Sequence, residues 1–315
     1  MTKAAEDVTR TEAWLVAARP HTLPASVAPV LVGTGLAVHE GVFAPDPALA
    51  ALVGAMLLQV GANLANDYYD AVKGVDSEDS PGYTRVTQAG LLPPEHVKAA
   101  MAACFGLALL VGHYVVAVGG LPIMVVGLAG IVSGVAYGGG PYPLGSNGLG
   151  DLFVFVFFGV VAVVGTFYVQ AASQAVAAVP VTVPPGTVTA EAVVASLAPA
   201  GIVTNVLVVN NVRDLEADRR AGKHTLAVYL GYRGSRAEYV ANLALAYLLP
   251  IVLWQRFGFD LLVLLPLVTL PYAAVVTRTV LTRTDEDALN PALERTGKLL
   301  AAHSTLFALG TVLAA

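Results

Sequence analysis

The stretch GIVTNVLVVNNVRDLEADRRAGKHT, residues 201–225, changes character at its middle. Its first nine residues are almost wholly apolar. The next sixteen hold Asp214, Glu216 and Asp218 together with Arg213, Arg219, Arg220 and Lys223. An apolar run of this kind, closed by a dense charge cluster, is what a helix leaving a bilayer looks like. The rest of the chain supports that reading: 56% of its 315 residues are hydrophobic and only 12% are charged, where a soluble domain carries about 25% charged residues. With a mean hydropathy of +0.70, the chain reads as an integral membrane protein. Its apolar stretches approach the roughly 20 residues a helix needs to span hydrocarbon, so an all-α polytopic bundle is expected and not a barrel.

Nine spans are predicted, near 14–38, 48–70, 96–118, 120–138, 150–173, 191–213, 236–255, 258–278 and 291–313, in one transmembrane domain over 1–315 with a polar tail at 1–13. Two joins are thin: Gly119-Gly120 with Pro122 between spans three and four, and residues 255–258 between seven and eight. Eight spans is the alternative. Segment 14–38 is interrupted by Arg19-Pro20-His21 and lacks the pattern of a cleaved leader, so it is expected to be retained. With an inside N-terminus, every Lys and Arg except Arg256, of 17, falls on or near the inner side. That asymmetry orients a multi-pass protein of the cell membrane with its charged loops cytoplasmic. The lone Cys104 sits in an apolar run, which excludes a disulfide framework.

The end of span two, NLANDYYDAVKGVDSED (residues 63–79), matches the end of span six as a degenerate repeat. Asn210, Asp214 and Asp218 are four residues apart, each displaced only about 40° from the last, so all three share one helix face. Asn66 and Asp70 share a face in the same way, while Asp76 lies beyond Gly74, where a left-handed cap can end the helix and turn the chain back. Carboxylates at a helix C-terminus are repelled by the helix dipole. Each ionised group in hydrocarbon costs a further ~2.5–3.5 kcal/mol on insertion scales. A cation between the clusters relieves both problems, and amide and carboxylate oxygens are hard ligands suited to Mg²⁺, which completes its shell with water and phosphate oxygens. Arg213, Arg219, Arg220 and Lys223 suit the phosphate half of such a site, while Arg219, Arg220, Arg233 and Arg236 read equally as parts of a solvated inside loop. A transporter also uses repeated halves and intramembrane acids, but its acids belong near the midplane. Here they stand at the inner ends.

NDYYDAVKGVD and NNVRDLEADRRAGKHTLAV resemble the paired Asp-rich motifs of the UbiA superfamily of intramembrane aromatic prenyltransferases. ARPHTLPASVAPVLVG (18–33), RVTQAGLL (85–92) and YGGGPYPLGSNGLGDLFVFVFFG (137–159) are similar to the branch that prenylates 1,4-dihydroxy-2-naphthoate in menaquinone synthesis. Ser146-Asn147 departs from that branch, which has an aromatic residue there. The resemblance implies nine helices around a central cavity and an Mg²⁺-dependent transfer of a polyprenyl group from its diphosphate to the naphthoate, with loss of CO₂. It implies metal contacts from Asn66, Asp70, Asp76, Asn210, Asp214 and Asp218, with Asp70, Asp214 and Asp218 carrying catalysis and Lys223 on the diphosphate. Asp67 points about 100° from Asn66, toward either the metal shell or a structural hydrogen bond. Tyr137 and Tyr142, in a glycine-rich loop that otherwise reads as a flexible turn, are candidates to line the pocket. Arg19 either holds the acceptor's carboxylate or snorkels to the interface. Asp151 either belongs to the site or starts span five. His21 and His224 read as surface polar residues, and Asn290 as a cap of the last helix or a pocket residue. Expected partners are the two substrates and membrane lipid, not nucleic acid. Other acceptors, 4-hydroxybenzoate or homogentisate among them, stay open, as does the oligomeric state.

Overall fold

A computed structural model describes residues 9–73, 86–138, 143–175 and 179–314. The described residues form helices and connecting turns, with no strand among them. In chain order the helices are α1 (Arg10–Ala18), α2 (Pro24–His39), α3 (Pro45–Lys73), α4 (Pro94–Gly138), α5 (Gly150–Ala175), α6 (Ala190–Arg220), α7 (Leu226–Arg256), α8 (Leu261–Thr282) and α9 (Glu286–Leu313).

Among the described residues, α3 to α8 are long and apolar enough to cross a bilayer, and α1 with α2 makes a seventh if that bent pair is one span. Two features reconcile this count with nine segments. Helix α4 has 45 residues, about 68 Å at 1.5 Å per residue and more than twice a ~30 Å hydrocarbon core. Gly120 breaks it with φ 68° and ψ −156°, at the thin join between spans three and four. The backbone groups freed there find partners: the Gly119 carbonyl accepts from the Tyr168 hydroxyl at 2.6 Å, and the Leu121 N–H donates to the Pro180 carbonyl at 2.8 Å. The turn between the two spans therefore leaves neither of these groups unpaired. Helix α9 carries Glu294, Arg295 and Lys298 in its first half. These lower its hydropathy, yet its 28 residues still exceed the spanning length.

The first span is bent by 53° between α1 and α2. Arg19, in the left-handed region at φ 50°, ends α1, and Pro20 follows it. Helix α3 holds this bend: the Asn63 amide donates to the Ala18 carbonyl (2.9 Å) and the Thr22 hydroxyl (2.8 Å), and Gln59 donates to the same hydroxyl at 3.3 Å.

Helices α6 and α9 form the centre of the bundle, where α9 packs against α2, α6 and α8, and α6 against α5 and α7. Within the membrane there is no hydrophobic drive between helices, so close approach and polar contacts supply the association. Asn205 of α6 donates to the Tyr239 carbonyl of α7 at 2.9 Å and accepts from Asn242 at 3.1 Å. At the α5–α6 crossing a side-chain carbon at Gly159 would run into the Cα and Cβ of Ala200. Gly159 also lies in a π-helical stretch, Val154–Val161, a local widening that frequently marks functional sites. Gly159→Val is expected to destabilise the bundle by about 1–3 kcal/mol, read as a lower thermal midpoint in detergent; an unchanged midpoint would contradict the close crossing.

Candidate active site

A cavity of about 290 Å³ lies among α2, α3, α5, α6 and α9. Val203, Val206 and Leu207 of α6 with Val154 and Phe158 of α5 make its body apolar. Polar groups come from His21, Thr22, Gln59, Asn210 and Glu294. Asn210 lies one turn beyond Val206, toward the charged end of α6, so the apolar body and the charge cluster meet at that side chain.

The second acid motif is a connected network. The Arg213 guanidinium forks onto Asp214, Nε to Oδ1 at 2.7 Å and Nη2 to Oδ2 at 2.8 Å. It also donates to Asn210 Oδ1 and Asn290 Oδ1, both at 2.9 Å. Asn210 Nδ2 approaches Asp214 Oδ2 at 3.4 Å, the contact expected of residues one turn apart on a shared face. The Arg213 side chain is 7% exposed, and Asp214 is 22% exposed, so this is a largely desolvated, bidentate and charge-assisted pair. One turn on, Asp218 is buried and accepts from Lys223 Nζ at 3.0 Å. Arg219 pairs instead with its exposed neighbour Glu216 at 2.9 Å.

On α3 the two adjacent motif residues go separate ways. Asn66 is exposed, whereas Asp67 is buried, and its two oxygens accept from the backbone N–H groups of Val86 (3.0 Å) and Thr87 (3.1 Å). Asp67 thereby anchors the chain ahead of α4 to α3. Asp70 stands on α3 one turn after Asn66; its side chain, like all of Asp76 and Tyr142, lies outside the described residues.

The loop before α5 is tied to the second motif. The His224 N–H donates to the Ser146 carbonyl at 2.8 Å, and Gly148 turns at φ 77° directly beside the Tyr229 ring. The Tyr137 ring lies against Gly145, and its hydroxyl lies near Gly150. Asp151 is buried and accepts a long hydrogen bond, 3.5 Å, from Asn211, the residue after Asn210. Arg19 sits half-buried at the bend between α1 and α2.

The structure thus brings Asn210, Arg213 and Asp214 together with Asn290, and Asp218 with Lys223. His21 is exposed, as a lone histidine beside a proline reads, and it also lines the cavity. Gln59 and Asn63 belong to no charged motif, yet they hold the bend beside the cavity. Their signal was present all the same: Gln59, Asn63 and Asp67 recur every four residues along an apolar span, the periodicity that marked Asn210, Asp214 and Asp218. Among the described residues no three His, Cys, Asp or Glu side chains converge as a ready cation cage. The donor chemistry nevertheless fits Mg²⁺, which commonly takes one or two carboxylates and fills its shell with water and substrate phosphate.

Comparison with known proteins gives a consistent picture. Residues 26–302 match the model of the UbiA prenyltransferase family. The chain is 38% identical over 315 residues to a 1,4-dihydroxy-2-naphthoate octaprenyltransferase of Escherichia coli, covering 98% of this chain and 97% of the relative. Among solved structures it resembles the apo form of a UbiA homolog from Aeropyrum pernix, with a TM-score of 0.62 at 14% identity over 92% of this chain and 97% of that one. It also resembles a UbiA homolog from Archaeoglobus fulgidus bound to DMAPP and Mg²⁺, with a TM-score of 0.56 at 16% identity over 93% and 98%.

Asp67→Ala is expected to strand two buried N–H groups, at about 1–3 kcal/mol each. Thermal unfolding and limited proteolysis near residue 86 measure this; parent-like stability and protection would remove Asp67 from that anchoring role.

Proposed function

The chain belongs to the UbiA prenyltransferase family, and from that premise we propose that it transfers a polyprenyl group from a polyprenyl diphosphate to 1,4-dihydroxy-2-naphthoate, with Mg²⁺ and with loss of CO₂, giving demethylmenaquinol. The acceptor follows the name of the bacterial relative. The observation that carries the reading is Asn210, which lines an apolar cavity and is hydrogen-bonded within the Arg213–Asp214 pair. A substrate with an apolar chain and a diphosphate head needs such a junction.

Asn66, Asp70, Asp76, Asn210, Asp214 and Asp218 would hold the metal, with Asp67 in the supporting position described above. When bound, Mg²⁺ offsets the charge that grows on the departing diphosphate. Lys223 is more than half exposed while it holds Asp218, and an ammonium has three donors, so it can meet phosphate oxygens without leaving its carboxylate. Arg213 holds Asp214 in orientation and contributes positive charge beside the leaving group. Val203, Val206, Leu207 and Phe158 exclude water from the allylic carbon, which matters because a free carbocation is captured by water. Tyr137 and Tyr142 are assigned to the acceptor ring, and Arg19 to its carboxylate. The inner side of the cell membrane carries the site, with the N-terminus on the same side, in one domain over 1–315.

Purified protein in detergent, given a polyprenyl diphosphate, Mg²⁺ and the naphthoate, is expected to yield a product at the coupled mass less CO₂, and EDTA to abolish it. Asp214→Asn should lower turnover by at least about 10²-fold with folding intact. Prenylation of a different phenolic acid alone would overturn the acceptor. Full turnover in Asp214→Asn would overturn the site.

A further inference from the structure

A second cavity, of about 410 Å³, opens between the end of α8 and the start of α9. Arg278, Thr279, Thr282 and Arg283 line one wall, and Asp287 and Arg295 stand on the other. Three guanidinium groups thus face one carboxylate. Arg283 is engaged with Asp285 at 2.7 Å, a contact that holds the Asp285 carboxyl below its ordinary range. Arg278 and Arg295 make no hydrogen bond or ion pair among the described residues, and the nearby acid Glu294 is taken by Lys298 at 2.6 Å. Positive charge is therefore left over inside a concave site.

The walls are held by contacts outside the cavity. Arg236 of α7 donates through Nε to the Val280 carbonyl (3.1 Å) and through Nη2 to the Arg283 carbonyl (3.0 Å), which caps the end of α8. Asp285 accepts from the Ala288 N–H at 3.1 Å and starts α9. On α8, Tyr272, Val275, Thr279 and Thr282 recur at spacings of three and four residues and share one face. Tyr272 and Val275 are exposed. An outward apolar strip of a spanning helix runs directly into the basic mouth.

We propose that this cavity binds the phosphate headgroup of an anionic phospholipid, with the acyl chains lying along Tyr272 and Val275. Arg278 and Arg295 supply the charge, and the Thr279 and Thr282 hydroxyls lie beside it. Basic pockets between membrane helices at the charged face hold such headgroups. The apolar strip favours a lipid over free phosphate, which needs no such surface. The residues that line this cavity are none of those that line the central one.

The test places the full-length protein in detergent with equal amounts of phosphatidylglycerol and phosphatidylcholine and counts retained lipid by native mass spectrometry. Phosphatidylglycerol should be retained preferentially, and Arg278→Gln and Arg295→Gln should each weaken that retention about fivefold. Asp287→Asn removes a repelling carboxylate and should strengthen it; this opposite sign keeps the test decisive if an arginine variant fails to fold. Equal retention of the two lipids, or parent-like retention in both arginine variants and in Asp287→Asn, would overturn the proposal. Inorganic phosphate binding that depends on the same arginines, without preference for phosphatidylglycerol, would also overturn it by identifying a free anion as the occupant.

Discussion

The Arg213–Asp214 fork is the interaction on which the charged end of the bundle depends. An acid at the C-terminal end of a long apolar helix is opposed by the helix dipole and by desolvation. The adjacent guanidinium offsets both at once, and its remaining donors reach Asn210 on the same helix and Asn290 on α9. One side chain therefore fixes the orientation of the motif and locks α6 to α9, the two helices at the bundle's centre. Lys223 repeats the device one turn later on Asp218. In a buried pair of this kind, removing one partner costs more than the pair contributes in net terms, because the other charge is left uncompensated.

Two irregular stretches of the backbone border the central cavity. The bend at Arg19 places His21 and Thr22 on its wall, and the π-helical stretch of α5 places Val154 and Phe158 there. Both departures from regular helix expose or redirect backbone groups that lipid cannot satisfy. At the bend the Asn63 amide satisfies the Ala18 carbonyl instead, and Gln59 and Asn63 both hold the Thr22 hydroxyl. The polar side chains within these apolar spans thus have a structural reason to be where they are. They also leave hydrogen-bonding groups at the cavity wall, where a ligand with both an apolar and a polar part can be oriented.

The helices were legible because a spanning helix leaves a long, one-dimensional signal, and the break in α4 fell at the glycine pair that marked it. The shared face of Asn210, Asp214 and Asp218 was legible for a related reason: four-residue spacing is local geometry. What sequence could not supply was which local faces meet. Asn290 reads as either a helix cap or a pocket residue until α9 is packed on α6, when it becomes an acceptor for Arg213. Arg219 reads as part of the phosphate-facing group, yet its nearest partner along the helix is Glu216, and that local pair claims it. Asp67, which its sequence position leaves between a metal contact and a structural hydrogen bond, accepts from two N–H groups some twenty residues away.

In the proposed reaction the two acid motifs act together on one metal–diphosphate complex. Binding of Mn²⁺, as a spin-active substitute for Mg²⁺, measured by electron paramagnetic resonance with and without inorganic diphosphate, tests it most directly. Diphosphate is expected to strengthen Mn²⁺ binding in the parent protein, and Asp70→Asn and Asp214→Asn are each expected to remove that effect with the helical content unchanged. Mn²⁺ binding indifferent to diphosphate, or equally strong in both variants, would contradict it.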